Sequence, residues 1–411
     1  MPAVRFFAPD TDAFVDSVKR HAPEFTEQTH LDLDLRIIGS DEYFSNEIGR
    51  YLEGPEAADV YLSGPVLVWE HIAAGRVEPL DPFFRQASDQ FDPDDFFPSL
   101  LSCNRWSGRF GGRLGEGSLW EIPVNCETYN LAFSRDALER YRVEPPETWE
   151  EYFRAAVRLC RGSAGSLRGF AQRGVQVWHT MYTGYATQFW AWGARDFDDR
   201  GRCAIASPQG VAATTAFLEA LHEAGPVDWP NQRWYELAMD FCAGRYGLIV
   251  DSDHYVAFYE MGERSAVKGR VGYALPPIGP SGRRASNMWT WSLVMNARSR
   301  NKPAAWRFIE WASGRQFLLR CAFEGNMNPT RRSTWEDPTF RQTADRWGDF
   351  SAVTRQLIEQ VGGVLPTPFA GYRRVGDRWV KALRAAYAGD QGVSEALEEA
   401  ASDIDSMVAG A

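Results

Sequence analysis

"LWEIPVNCETYN", residues 119–130, reads as a β-strand, with Trp120, Ile122 and Val124 at alternate positions. Its centre carries Pro123, Asn125, Cys126 and Glu127, where a buried strand should carry Val or Ile. Proline has no N–H to give to a ladder, and a buried carboxylate needs a partner. The polar centre therefore calls for a reason other than core packing.

Upstream of this stretch, strands and helices alternate. "VRFFAPD" (4–10) is a buried strand ending in a Pro-Asp turn, followed by a helix capped near Asp10 or Thr11 with Phe14, Val18 and His21 on one face. "LDLDLRIIGS" (31–40) alternates as a strand, and Ser40 or Asp41 caps a helix carrying Phe44, Ile48 and Leu52. "ADVYLSGP" (58–65) is strand and turn, with a helix running on to Ala74. This β-α-β-α-β-α opening predicts an α/β fold with a parallel sheet covered by helices. Ligands of such sheets bind beyond the carboxyl ends of the strands, so the loops at 8–12, 40–44 and 62–66 become candidates.

Downstream the pattern restarts. "PPETWEEYFRAAVRLC" (145–160) is a helix with Thr148 as cap and Glu151 at the capping-box position. "SPQGVAATTAFLEALHEAG" (207–225) is a second, with Pro208 in its first turn and Gly225 as its stop. "YGLIVDSDHY" (246–255), "VGYALPPIGPSG" (271–282) and "NMWTWSLVMNARS" (287–299) each carry a strand. "KPAAWRFIEWAS" (302–313) and "VSEALEEAASDIDSMV" (393–408) are helices. "RFGGRLGEGS" (109–118) lacks the G-K-S/T of a phosphate loop and precedes a strand, so it reads as a flexible turn.

The chain has 411 residues, 44% of them apolar, and a single core stops growing near ~250–300 residues, so two domains are expected. A net charge of -11 argues against a nucleic-acid or anionic-membrane partner. No apolar run approaches the ~20 residues of a membrane span. The first residues show no basic and apolar leader pattern, which leaves two expectations open: a removed leader replaced by Met1, or a cytoplasmic chain. The six cysteines, Cys103, Cys126, Cys160, Cys203, Cys242 and Cys321, show no metal spacing and read as scattered buried thiols.

Several segments, taken in order, resemble extracellular solute-binding proteins of carbohydrate ABC importers, the maltose-binding-like group. "ADVYLSGPVLVWEHIAAGRVEPLDPF" resembles the family's ligand loop, helix and "P-L-D" segment. "LWEIPVNCETYNLAFSRDALERYRVEPPETWEEYFRAA" is similar to its strand with "P-x-x-x-E/T" followed by "P-P-x-T-W-x-E". "WTWSLVMNARSRNKPAAWRFIEWAS" and "NPTRRSTWEDPTF" match later segments, and an Arg-Gly at 173–174 resembles the sorbitol/mannitol-type members.

The resemblance implies a periplasmic-binding-protein type II-like fold, two α/β domains around a ligand cleft. It implies an N-terminal lobe of 1–126 plus 292–335, a C-terminal lobe of 130–288 plus 338–411, and hinges at 126–130, 288–292 and 335–338. "PVNCETYN" would then cross the cleft floor with its polar residues facing sugar, and "WTWS" (289–292) would be a second crossing. The implied partners are a small carbohydrate and the transmembrane subunits of an ABC permease, with no cofactor, no metal and no nucleic acid, for a periplasmic or surface-anchored monomer.

A sugar or polyol needs carboxylates, amides and flat aromatic faces. The candidate ligand residues are Asp10, Asp12, Ser63, Gly64, Asn125, Glu127, Arg173, His179, Asp251, Trp289, Thr290, Trp291, Tyr372 and Arg373, with Trp178, Tyr185, Trp190 and Trp379 as further aromatics. Each has a structural alternative. Glu127 could bond a hinge residue, either tryptophan could be core, Asp251 could cap the next helix, and the aromatics of 178–192 could be core. His179 and His254 are lone histidines, more often structural than ligating, and Arg331 reads as structural. A competing reading is a thiaminase-like enzyme on the same fold with Cys126 as nucleophile, which would need a base in reach. A third is a ligand sensor.

Overall fold

The computed structural model describes residues 3–10, 13–44, 47–89 and 91–409. Strands β1 (Ala3–Pro9), β2 (Asp32–Ile38), β3 (Val60–Ser63), β4 (Glu121–Ser134), β5 (Arg168–Ala171), β6 (Tyr246–Ser252), β7 (Val271–Ala274) and β8 (Ser286–Met295) are interleaved with helices. The chain divides into two compact units. Unit 1 comprises Met1–Glu127, Trp289–Arg341 and Pro368–Ala370; unit 2 comprises Thr128–Met288, Gln342–Thr367 and Gly371–Ala411. Strand β4 thus leaves unit 1 after Glu127, and β8 re-enters it at Trp289.

In unit 1, β1 runs parallel to β2, from Ala3 opposite Asp32 to Pro9 opposite Ile38, and parallel to β3 on its other side. The end of β8 adds antiparallel to β3, with Ser292 opposite Ser63 and Met295 opposite Val60. Phe6, Leu62, Ile122, Val124 and Leu293 fill one continuous core with Phe14 and Val18 of helix Ala13–Thr29 and Phe308 of helix Lys302–Ala312. The parallel opening is as the sequence predicts. Where the sequence predicts an α-helix carrying Phe44, Ile48 and Leu52, Ser40–Phe44 is a short α-helix and Glu47–Leu52 is a 3-10 helix. Gly49, a weak helix former, lies within the 3-10 stretch, while Ile48 and Leu52 still reach the interior. Asp10 does not act as the cap expected of it; it accepts the N–H and hydroxyl of Ser40 at 3.0 and 2.6 Å. Thr11 lies outside the described residues.

In unit 2, Tyr129–Phe133 of β4 pair antiparallel with β6, and Leu131–Ser134 pair antiparallel with β7 on the other side. Strand β5 continues the sheet parallel to β6. Helix Trp149–Gly162 starts in the expected capping box, with Thr148 Oγ1 accepting Glu151 N–H and Glu151 accepting Thr148 N–H. Tyr185, Phe189, Trp190 and Trp379 of helix Tyr372–Ala388 form an aromatic core with ring centroids 4.8–6.0 Å apart, which makes these rings packing residues. Trp178 is also buried.

Side chains of unit 2 grip the backbone beside several of the passages between units. Asp253 accepts Thr128 N–H at 2.9 Å, Ser286 Oγ accepts Tyr129 N–H at 3.0 Å, Asn287 Oδ1 accepts Leu365 N–H at 3.0 Å and Asp196 accepts Thr367 N–H at 2.7 Å. Burial raises the Asp196 carboxyl, and hydrogen bonds from Thr367 and Tyr372 oppose that rise. Among the described residues no helix is long and apolar enough to cross a membrane, and no three His, Cys, Asp or Glu could hold a metal ion.

Candidate functional site

The polar centre of β4 has two physical explanations. Opposite Pro123–Cys126 runs an irregular segment bonded largely through side chains. Thr330 Oγ1 donates to the Pro123 carbonyl at 2.9 Å, Asn326 Nδ2 donates to the Val124 carbonyl at 2.9 Å, and Cys126 N–H donates to the Asn328 carbonyl at 3.3 Å. No partner there requires a proline N–H. Glu127, by contrast, is half-buried and is the last residue of unit 1 before the chain passes on.

Trp291 Nε1–H donates to Glu127 Oε1 at 2.8 Å. The second oxygen of Glu127 makes no hydrogen bond among the described residues. Trp289 and Trp291 lie two residues apart on β8 and share a face, their rings edge-to-face at 5.4 Å and 68°. Trp289 is buried and Trp291 half-buried. Thr290 points the other way: its hydroxyl donates to Asn104 Oδ1 at 2.7 Å, and Asn104 Nδ2 donates to Ser292 Oγ at 2.9 Å. Thr290 is therefore committed to internal packing. Ser63 is buried at the end of β3, and Gly64 begins helix Pro65–Ala73. A Cβ on Gly64 would meet Trp289 Cζ2 at 2.3 Å, so the missing side chain is what admits the indole. Asn125 is buried on the same strand as Glu127. Unit 1 thus brings together Gly64, Trp289, Trp291 and Glu127. Asp10 is exposed and engaged with Ser40, and Asp12 lies outside the described residues.

Unit 2 builds a second group. Asp251, on β6, receives Arg173 Nε at 3.0 Å and Nη2 at 2.6 Å, the two-pronged fork of a charge-assisted pair. Nη2 also donates to the Tyr255 phenol at 2.7 Å. Asp251 therefore anchors the arginine, and Ser252 is the residue that caps the following turn, Asp253–Tyr255. Nη1 of Arg173 makes no hydrogen bond among the described residues. Burial disfavours the Arg173 cation, but Asp251 and the phenols of Tyr255 and Tyr129 outweigh it and hold the guanidinium well above its ordinary range. His179 lies nearby, and burial plus the Arg173 and Arg233 charges push its imidazole down to about 3. It is neutral at pH 7. Tyr372 is buried against Asp196, and Arg373 is half-buried in the first turn of its helix.

Tyr255 was not among the expected residues; in "DSDHYVAFY" it looks like one more packing aromatic. Arg331 is structural, as expected. Its guanidinium lies 3.9 Å from the Phe96 ring centroid and 4.9 Å from that of Phe91, and it donates to the Ser313 carbonyl at 2.8 Å. Cys126 does not suit the nucleophile reading, because its thiol is fully buried and donates to the Asn328 carbonyl at 3.5 Å.

An erythritol/L-threitol-binding protein of Mycolicibacterium smegmatis is 29% identical over 383 residues, 90% of this chain and 79% of that protein. A mannitol-binding protein of Pseudomonas aeruginosa is 26% identical over 325 residues, 75% of this chain and 71% of that protein. The fold matches an ABC transporter solute-binding protein of Agrobacterium radiobacter K84 solved with ribitol, with a TM-score of 0.86, 20% identity, and 99% and 98% of the two chains covered. It also matches one from Agrobacterium vitis S4 with bound D-mannitol, with a TM-score of 0.82, 20% identity, and 100% and 99% covered. The architecture is the α/β, periplasmic-binding-protein type II-like fold that the sequence resemblance implies. Residues 8–316 match the bacterial extracellular solute-binding protein family, and the chain belongs to it.

Proposed function

We propose that this chain binds a small, neutral, acyclic polyol and hands it to the transmembrane subunits of an ABC importer. The carrying observation is the half-committed state of two groups. Asp251 and Tyr255 occupy Nε and Nη2 of Arg173 and leave Nη1 available, while Trp291 occupies one oxygen of Glu127 and leaves the other. A polyol hydroxyl donates and accepts at once, so a polyol suits both a fixed donor such as Arg173 and a fixed acceptor such as Glu127. Trp289 and Trp291 add a flat apolar surface for the C–H side of the carbon chain.

Charge supports a neutral ligand. The Arg173 cation is matched by Asp251, His179 is uncharged at pH 7, and Glu127 is an acid. An anionic sugar acid would find no uncompensated cation among these groups. The relatives named above bind erythritol, L-threitol and mannitol, which are all neutral.

In this reading the passages at Glu127/Thr128, Met288/Trp289, Arg341/Gln342, Thr367/Pro368 and Ala370/Gly371 act as hinges. The side chains that grip Thr128, Tyr129, Leu365 and Thr367 tie the hinge strands to unit 2. The protein acts outside the cytoplasmic membrane as a monomer and turns nothing over. A thermal-shift screen with erythritol, L-threitol, ribitol, D-mannitol, D-sorbitol and maltose tests it. Saturating binder raises Tm by mass action, and a flat response across the panel refutes the reading.

A further inference from the structure

We infer that Tyr255 is a positioning residue for ligand capture, the group that fixes which edge of Arg173 is offered. This rests on the polyol reading above. A guanidinium held by one carboxylate through two parallel bonds can still hinge out of the carboxylate plane, which swings its outer nitrogen. The Tyr255 phenol accepts the second N–H of Nη2 at 2.7 Å while Asp251 takes the first at 2.6 Å. With Nε also held, three donors are fixed from two elements, and only the Nη1 edge is left. Tyr255 is itself buried and cannot swing away. Its ring lies near-parallel to that of Trp234, with centroids 6.5 Å apart at 19°, and touches Phe258 and Tyr259 at 6.1 and 6.2 Å. The Arg173 carbon sits 5.8 Å from the Tyr255 ring centroid, so the ring also supports the cation.

Tyr255→Phe keeps the ring and its packing and removes only the acceptor. Titration calorimetry with erythritol, ribitol and D-mannitol, on wild type, Tyr255→Phe, Arg173→Lys and the double variant, reads the effect. Tyr255→Phe should raise Kd roughly fivefold to tenfold, the scale of one ordinary hydrogen bond, with an apo Tm only a few degrees below wild type. In the Arg173→Lys background, which has no fork to aim, the same change should alter Kd less than about twofold. Unchanged affinity in Tyr255→Phe overturns the assignment, and so does a lower apo Tm with unchanged affinity. Equal losses in both backgrounds overturn it too, because Tyr255 would then act on the ligand itself. If wild type binds none of the three polyols, the functional reading fails and takes this assignment with it.

Discussion

The indole N–H of Trp291 donates to Oε1 of Glu127 across 2.8 Å, joining two residues 164 positions apart in the chain. Glu127 ends the first passage of the chain through unit 1, and Trp291 stands just after the second begins. The bond holds an indole and a carboxylate together and leaves the second carboxylate oxygen without a hydrogen bond among the described residues.

Glu127→Ala should therefore weaken polyol binding about tenfold or more, through the lost charge-assisted bond and the released indole. Glu127→Gln keeps an acceptor for Trp291 and should lose less. Both should unfold within about 1 kcal/mol of wild type without ligand, because the site is half-buried. Denaturant melts paired with calorimetry check this; a large loss of apo stability at full affinity would make Glu127 a structural carboxylate.

Gly64→Ala places a methyl 2.3 Å from Trp289 Cζ2 and 2.8 Å from the Thr290 carbonyl. Overpacking of this kind costs about 1–3 kcal/mol. Because Trp289 leans edge-to-face on Trp291, displacement should pass to the binding face, and both stability and affinity should fall. An unaffected Kd in this variant would separate Trp289 from the site.

Much of the frame was legible in the sequence. The alternating apolar pattern of residues 4–74 marked β1, β2 and β3, and Thr148 with Glu151 marked a helix start, because period and capping are local signals. The site was legible only as a pool of residue types. Nothing near Arg173 in sequence announces Asp251, 78 positions on, or Tyr255, 82 on. Thr290 looked like a ligand group because its neighbours are tryptophans, yet strand alternation turns it toward Asn104, 186 positions away. Residues 47–52 form a 3-10 helix rather than the expected α-helix, because apolar spacing at Ile48 and Leu52 was weighed above Gly49.

Glu121 was also missed, and it carries a pH prediction. It is buried, Oε2 has no hydrogen-bond partner, and burial pushes its carboxyl well above the ordinary 4.5. The folded chain therefore binds a proton that the unfolded chain releases. That contribution to stability is fully present below about pH 4.5 and is lost as pH rises toward the folded value. Glu121→Gln cannot ionise, so its unfolding free energy should fall less between pH 5 and pH 8 than that of wild type. Parallel pH profiles for the two would show that Glu121 does not titrate with folding.

Asp251→Asn leaves the buried Arg173 cation uncompensated, and breaking such a pair costs about 3–5 kcal/mol. The same change should relax charge selectivity. Wild type should bind D-mannitol at least about a hundredfold more tightly than D-gluconate, a gap near 2.7 kcal/mol, and Asp251→Asn should narrow it. Comparable affinity of wild type for both would show that the Arg173–Asp251 pair does not set ligand charge.

We propose that this chain holds a neutral polyol and leaves it chemically unchanged. Titration calorimetry of the wild-type chain with erythritol, ribitol and D-mannitol, followed by chromatography of the recovered ligand, tests it most directly. The account predicts saturable one-to-one binding of at least one polyol, recovered unchanged. No binding of any of the three, or a polyol returned as a different compound, would contradict it.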